Sequence, residues 1–216
     1  ETQTIGCNFT TAGKNAFLTT VYVILVPLLG WPVFKKRPAW FVWLAAFLSV
    51  TGIALLALNG ETGAWYLMNK GDVLTLVCGF FYAVHIIAGA FFVKDEDVIL
   101  LTVFQFLVAG ILGFLLAPFM DSPLEMSLFT NRNVVVSLLY LGLLSSMLAF
   151  CLQNAGLKYV PSSLASLFLS LESVFGVLFS CLILHETMTF KMAAGCVLIF
   201  AAILVAEVIP GFVKRD

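Results

Sequence analysis

Seven apolar runs divide the chain, each about as long as a helix must be to cross roughly 30 Å of hydrocarbon, with short polar breaks between them. They predict spans at Asn15–Phe34, Pro38–Leu58, Asp72–Val93, Val98–Met120, Asn133–Gly156, Val160–Leu184 and Phe190–Val208. Inside these limits the charged residues are Asp72, Glu172, Lys191 and Glu207. Asp72, Lys191 and Glu207 lie within two residues of an end, from which a charge can reach the interface. Glu172 does not: it stands twelve residues from both Val160 and Leu184, about 18 Å of helix from either end. The connections run from three residues at Lys35–Arg37 to thirteen at Asn59–Gly71, too short for a soluble domain. Backbone groups in hydrocarbon must be satisfied within their own segment, so the spans are expected to be helices. The predicted fold is an all-α integral membrane bundle of seven visible helices.

Composition agrees and narrows the function. Of 216 residues, 62% are apolar and 11% charged, and the mean hydropathy is +1.08. That balance cannot supply a water-facing surface, which excludes a soluble enzyme. A net charge of −1 with eleven Lys and Arg leaves no basic face for nucleic acid. The five Cys are scattered with no C-x-x-C pair, so no metal site and no disulfide framework is expected. Neither a phosphate-binding G-x-x-x-x-G-K-[ST] loop nor a nucleophile–base arrangement is present. We expect no cofactor and no enzymatic chemistry.

Charge also orients the chain. Alternate loops place Lys35, Lys36, Arg37, Lys94, Lys158, Lys214 and Arg215 on one side, and Lys14, Lys70, Arg132 and Lys191 on the other. The positive-inside rule then puts the Lys35–Arg37 loop and the C-terminus in the cytoplasm.

Sliding the chain over itself by 150 positions lays residues 3–57 on 153–207 without a gap. Gln3-x-x-Gly6 falls on Gln153-x-x-Gly156, Phe9 on Tyr159, Thr20 on Ser170, Leu48 on Leu198 and Ile53 on Ile203. The two copies are five spans apart, an odd number, so the second is expected upside down relative to the first. The third and fourth spans find no partner upstream, and the chain begins at Glu1. We therefore expect a fragment lacking roughly 80 N-terminal residues, or about three spans.

The stretches Cys151-Leu152-Gln153-Asn154-Ala155-Gly156-Leu157-Lys158-Tyr159-Val160-Pro161-Ser162 and Ala165-Ser166-Leu167-Phe168-Leu169-Ser170-Leu171-Glu172-Ser173-Val174-Phe175-Gly176 resemble the EamA-like branch of the drug/metabolite transporter superfamily. So does the finish, Leu184-His185-Glu186-Thr187-Met188-Thr189 leading to Ala194-Gly195. Asn8-Phe9-Thr10-Thr11-Ala12-Gly13-Lys14-Asn15-Ala16-Phe17-Leu18-Thr19 and Val26-Pro27-Leu28 resemble the family's other half. The family commonly has Pro after the acid matched by Glu172, where this chain has Ser173. The acid that commonly ends the hairpin is Glu186 in the second copy, with Lys36 at its place in the first.

The resemblance implies ten helices in two inverted five-helix repeats around a central cavity. It places the second part of the first repeat at 1–58, an inter-repeat loop at 59–71, the second repeat at 72–209 and a cytoplasmic tail at 210–216. It also implies secondary-active export of small metabolites, such as amino acids or related compounds, across the cell membrane of a prokaryote. The expected partners are a small-molecule substrate and the lipid bilayer; a homodimer is left open.

Five residues are candidates for binding substrate or protons. Glu172 carries a mid-membrane carboxylate that costs about 2.5–3.5 kcal/mol or more against lipid. Its neighbours Ala165, Gly176 and Ser180 form a small stripe where a helix or cavity can approach, which argues against a lipid-facing acid. It can hold a substrate amine, relay a proton, or serve as a structural hydrogen-bonder. Tyr22 occupies the position equivalent to Glu172 in the first copy. His85 lies mid-span on a helix rich in Phe and Ala, and reads equally as a bundle histidine. Gln105 and Gln153 are long polar groups inside spans, and interhelical glue is the bland account of both. Pro27 is expected to kink its helix by removing a backbone bond.

Two other classes were weighed. A seven-helix retinal protein needs a Lys near the middle of the last span, whereas that span has only Lys191 at its edge. A non-transporting membrane sensor or interaction protein on the same bundle would carry the same pattern.

Overall fold

The structure, a computed structural model, describes Phe9 and residues 12–57, 69–120, 130–183 and 188–213. The alignment of Gln3 and Gly6, the loop from 58 to 68 and the turn containing Glu186 lie outside the described residues. Among the described residues every regular element is helical. In chain order these are α1 (Ala12–Thr19), α2 (Tyr22–Phe34), α3 (Trp40–Ala57), α4 (Lys70–Phe92) and α5 (Val98–Met120). There follow α6 (Arg132–Leu139), a wider π-helical stretch (Tyr140–Leu148) that leads into α7 (Ala149–Tyr159), then α8 (Ser162–Leu169), α9 (Leu171–Ile183) and α10 (Phe190–Val213).

Among the described residues, six segments are long and apolar enough to cross a membrane: Phe17–Phe34, Lys70–Phe92, Val98–Leu116, Arg132–Tyr159, Ser162–Ile183 and Phe190–Glu207. The run expected as the second span is an apolar helix, Trp40–Leu56, just short of that length. Pro38 and the tight Lys35–Arg37 turn delay its start, and Lys35 closes α2 in the left-handed conformation at φ 54°. Beside that turn the Arg37 guanidinium lies 5.1 Å from the Trp31 ring centre. The last helix runs on to Val213, past the expected start of the tail at 210. Hydropathy marks where a span leaves hydrocarbon, whereas backbone hydrogen bonds carry a helix beyond it.

The chain forms two compact units. The first joins Glu1–Ala88 to Pro161–Asp216. Its core is the crossing of α3 and α10. A Cβ placed on Gly52 would stand 2.7 Å from the Gly195 carbonyl oxygen, and one on Gly195 would stand 2.6 Å from that of Gly52. The two backbones touch, and Ala45, Ala46, Ser49, Ile53 and Leu56 are buried against Ile199, Ala202, Ile203 and Ala206. Helices in lipid gain little from hydrophobicity, so small residues that let backbones approach supply the contact. At the 150-residue offset read from the sequence, Ala45 falls on Gly195, Ser49 on Ile199, Gly52 on Ala202 and Ile53 on Ile203. Buried positions of α3 thus fall on buried positions of α10 at that offset.

The start of α4 is held by a reciprocal pair. The Asp72 backbone N–H donates to Asn69 Oδ1 at 2.9 Å, and the Asn69 N–H donates to Asp72 Oδ2 at 2.8 Å. This is a capping box, which satisfies helix-end donors on both sides. Asp72 is fully buried, so the expectation that it reaches for the interface fails: its carboxylate is occupied at its own helix end. Asn15 on α1 donates to Thr75 on α4 at 2.8 Å.

The second unit comprises Gly89–Val160. Asn154 is fully buried there, and its Nδ2 donates to Thr102 Oγ1 and to Gln105 Oε1, each at 2.9 Å. Phe106 and Phe150 meet edge to face at 5.6 Å.

Candidate functional site

Two spans of the first unit are interrupted, and the interruptions coincide at the 150-residue offset. Between α1 and α2 the Thr20 backbone N–H donates to the Phe17 carbonyl at 3.1 Å, and its hydroxyl donates to the same oxygen at 2.6 Å. Between α8 and α9 the Ser170 backbone N–H donates to the Leu167 carbonyl at 3.1 Å, and its hydroxyl does so at 2.6 Å. The next bond matches too, with Val23 donating to Thr20 at 2.9 Å and Ser173 to Ser170 at 3.2 Å. In the first, i→i−3 bonding tightens one turn. In the second, the Ser170 N–H is shared between the Leu167 carbonyl and the i−4 carbonyl of Ser166 at 3.2 Å. In each, a hydroxyl bonds the i−3 carbonyl. Ser and Thr back-bonding of this kind bends helices.

The interruption falls before Pro27, which lies inside a continuous α2. A hydroxyl back-bond thus stands at the interruption, and Pro27 lies five residues beyond Tyr22 on the same helix. The second interruption forms without any proline beyond Glu172. In each span the candidate side chain stands two residues after the hydroxyl: Tyr22 opens α2 and Glu172 lies in the first turn of α9.

Around these turns the first unit gathers a polar and aromatic group. The Tyr22 ring meets the Tyr82 ring of α4 edge to face, with centres 4.9 Å apart and planes at 87°. Tyr82 stacks on His85, with centres 6.3 Å apart and planes 10° from parallel. Gly79 lets α4 approach: a Cβ there would stand 2.8 Å from the Thr19 carbonyl oxygen, at the interruption itself. Tyr22 is buried, whereas Glu172 is exposed. Nothing lies within 4 Å of a Cβ placed on Gly176, one turn further on. The paired phenol rings of Tyr22 and Tyr82 offer ring faces to an organic cation, and Glu172 supplies a carboxylate within the same unit.

The sequence profile of the EamA-like transporter family matches residues 69–207, from the cap of α4 into α10. The chain belongs to the EamA-like transporter family. Among its relatives, an uncharacterized transporter of Archaeoglobus fulgidus is 32% identical over 209 residues, covering 95% of this chain and 63% of that protein. The uncharacterized transporter YyaM of Bacillus subtilis is 22% identical over 207 residues, covering 94% of this chain and 67% of the relative. The chain thus spans less than two thirds of the length of the first of these. A crystal structure superposes with a TM-score of 0.77 at 15% identity, over 96% of this chain and 71% of the solved one. It shows the same fold.

The five candidates divide between the two units. Glu172, Tyr22 and His85 belong to the first, where Tyr82 links Tyr22 to His85. Gln105 and Gln153 lie in the second, where Gln105 accepts from Asn154 and serves that buried amide. The Gln153 Nε2 is buried and has no hydrogen-bond partner among the described residues. Sequence reasoning missed Tyr82, Ser49 and Asn154. Tyr82 lies three residues before His85, on the same helical face, and that spacing was the available signal.

Proposed function

We propose that this EamA-like transporter is a secondary-active exporter of small metabolites carrying an amine, such as amino acids or related compounds. It works by alternating access between two inverted five-helix repeats. The observation that carries this reading is the pair of matched interruptions at Thr20 and Ser170, with the same hydroxyl-to-carbonyl bond of 2.6 Å in each. Interrupted helices that meet at a repeat interface are where secondary transporters bind substrate and coupling ions. Glu172 and Tyr22, at equivalent places beyond the two interruptions, are the substrate- or proton-binding pair, with His85 supporting Tyr82. The Lys35–Arg37 loop and the C-terminus face the cytoplasm of a prokaryotic cell.

The test is flux of a panel of radiolabelled amino acids in proteoliposomes, with and without an imposed pH gradient. If Glu172 carries the coupling proton, Glu172→Gln abolishes gradient-driven flux and retains exchange. If it holds the substrate ammonium, both are lost. Unchanged flux under both conditions overturns its functional role. Orientation is checked separately: Cys at Lys36 should resist a membrane-impermeant thiol reagent in intact cells, and Cys at Thr189 should react.

A further inference from the structure

The two interruptions match in their own bonds and differ in what reaches them from the neighbouring helix. Ser49, fully buried on α3, approaches Ser170 Oγ at 3.0 Å. The Ser170 proton is already committed to the Leu167 carbonyl at 2.6 Å, so Ser49 is the donor. The result is a relay from Ser49 to Ser170 to Leu167 that ties the α8–α9 turn to α3. At the equivalent place in the other half stands Ile199, also fully buried, with no proton to give. Among the described residues no side chain donates to the Thr20 hydroxyl, which bonds the Phe17 carbonyl of its own span.

We propose that Ser49 is a positioning residue for Glu172: through Ser170 it fixes the turn that sets where the carboxylate stands. This rests on the reading of Glu172 as the working acid. Geometry favours it over simple glue. Ser170 is two residues from Glu172, and Leu171 and Val174, on either side of the acid, pack into the Ile53, Leu56 and Ile199 cluster of α3 and α10. The turn thus has an apolar anchor and one directional polar tie, and the tie alone can set its rotation. A protein that must hold one carboxylate at one depth has reason to pin that turn and leave its counterpart, which carries a phenol, without the cross-link.

The probe is dicyclohexylcarbodiimide, an apolar reagent that modifies protonated carboxyls, applied at fixed pH to the full chain in vesicles, with adducts located by mass spectrometry. In Ser49→Ala the released turn should let Glu172 react about threefold to tenfold faster, the range expected for loss of one hydrogen bond. Ser49→Thr keeps the hydroxyl and should restore the wild-type rate, and Glu207 should react equally in all three. Equal rates at Glu172 in the wild type and Ser49→Ala overturn the proposal, whatever the unfolding temperature does. Faster reaction at Glu207 as well marks general loosening and also overturns it. Should Ser49→Ala fail to fold, Ser170→Ala removes the same link from the other side and must give the same acceleration; a wild-type rate there refutes the relay. Failure of the underlying reading shows elsewhere, as unchanged amino-acid flux in Glu172→Gln.

Discussion

The spans Phe17–Phe34 and Ser162–Ile183 are the same device carrying different chemistry. Each breaks one turn with a hydroxyl on an i−3 carbonyl, and each presents its key side chain two residues later. Around that shared geometry the residues diverge: Tyr22 against Glu172, Ile199 against Ser49, and Gly79 of α4 laid directly on the first turn. The shared hydroxyl–carbonyl bond is one that either Ser or Thr can supply. The side chains that follow it, a phenol and a carboxylate, share no such chemistry.

The largest effect comes from breaking what both halves lean on. Gly52→Leu would drive a side chain into the Gly195 carbonyl 2.7 Å from its Cβ. Overpacking at a backbone contact should cost about 3 kcal/mol, the upper end of the usual range. Thermal unfolding in detergent reads it. A variant as stable as the wild type would mean that the α3–α10 crossing can slide, and that the two buried stripes are not locked in register.

Next in size is the contrast between the two presented side chains. Glu172→Gln should reduce amino-acid flux by about tenfold or more, the loss of one charged hydrogen bond. Tyr22→Phe should reduce it by about threefold, as for a neutral one. Equal losses would make the phenol and the carboxylate partners of equal weight and remove the asymmetry at the site.

How much of this was legible beforehand follows the same division. The 150-residue offset already laid Thr20 on Ser170 and Tyr22 on Glu172, because hydrophobic register survives when identities do not. The cause of the bend was not legible. A proline announces itself in a sequence, so Pro27 drew the inference, whereas a Ser hydroxyl bends a helix only when its rotamer turns back onto the i−3 carbonyl. Asp72 misled for a related reason: proximity to a span end suggested water, but the Asn69 cap had captured its carboxylate. Tyr82 went unseen because its one signal, the three-residue spacing to His85, stands among many aromatics on the same helix. Gln105 was recognised as polar and buried, yet its partner Asn154 lies 49 residues away on another helix, and no local pattern joins them.

A smaller difference sharpens the asymmetry of the two turns. Ser170→Ala removes the hydroxyl and leaves the buried Ser49 donor without its acceptor, which should cost about 1–2 kcal/mol. Thr20→Ala removes a hydroxyl that no other side chain uses and should cost about 0.5–1 kcal/mol. Chemical unfolding of both variants in the same detergent measures the gap. If Thr20→Ala proves the more costly, the first turn has a dependence on its hydroxyl that the relay does not explain.

The smallest effect separates proline from hydroxyl as the cause of the first bend. Pro27 is buried within α2, and a proline at that place removes the backbone bond that residue 27 would otherwise make to the Val23 carbonyl. Because the turn tightens at Thr20 and Val21, before Pro27, its bonds do not pass through the proline. Pro27→Ala restores one backbone donor to α2 and removes only part of a ring from packing, so the two changes oppose each other. Stability should move by less than about 0.5 kcal/mol, the usual size of a change that touches no special feature. A spin-label pair placed on the exposed Leu28 and Trp31 of α2 against one on α4 should report unchanged distances. Thr20→Ala should shift them, since it releases the Phe17 carbonyl to the regular ladder and straightens the span. If Pro27→Ala moves the labels and Thr20→Ala does not, the hydroxyl merely accompanies the bend in the first half, and the likeness between the two interruptions would rest on different physics.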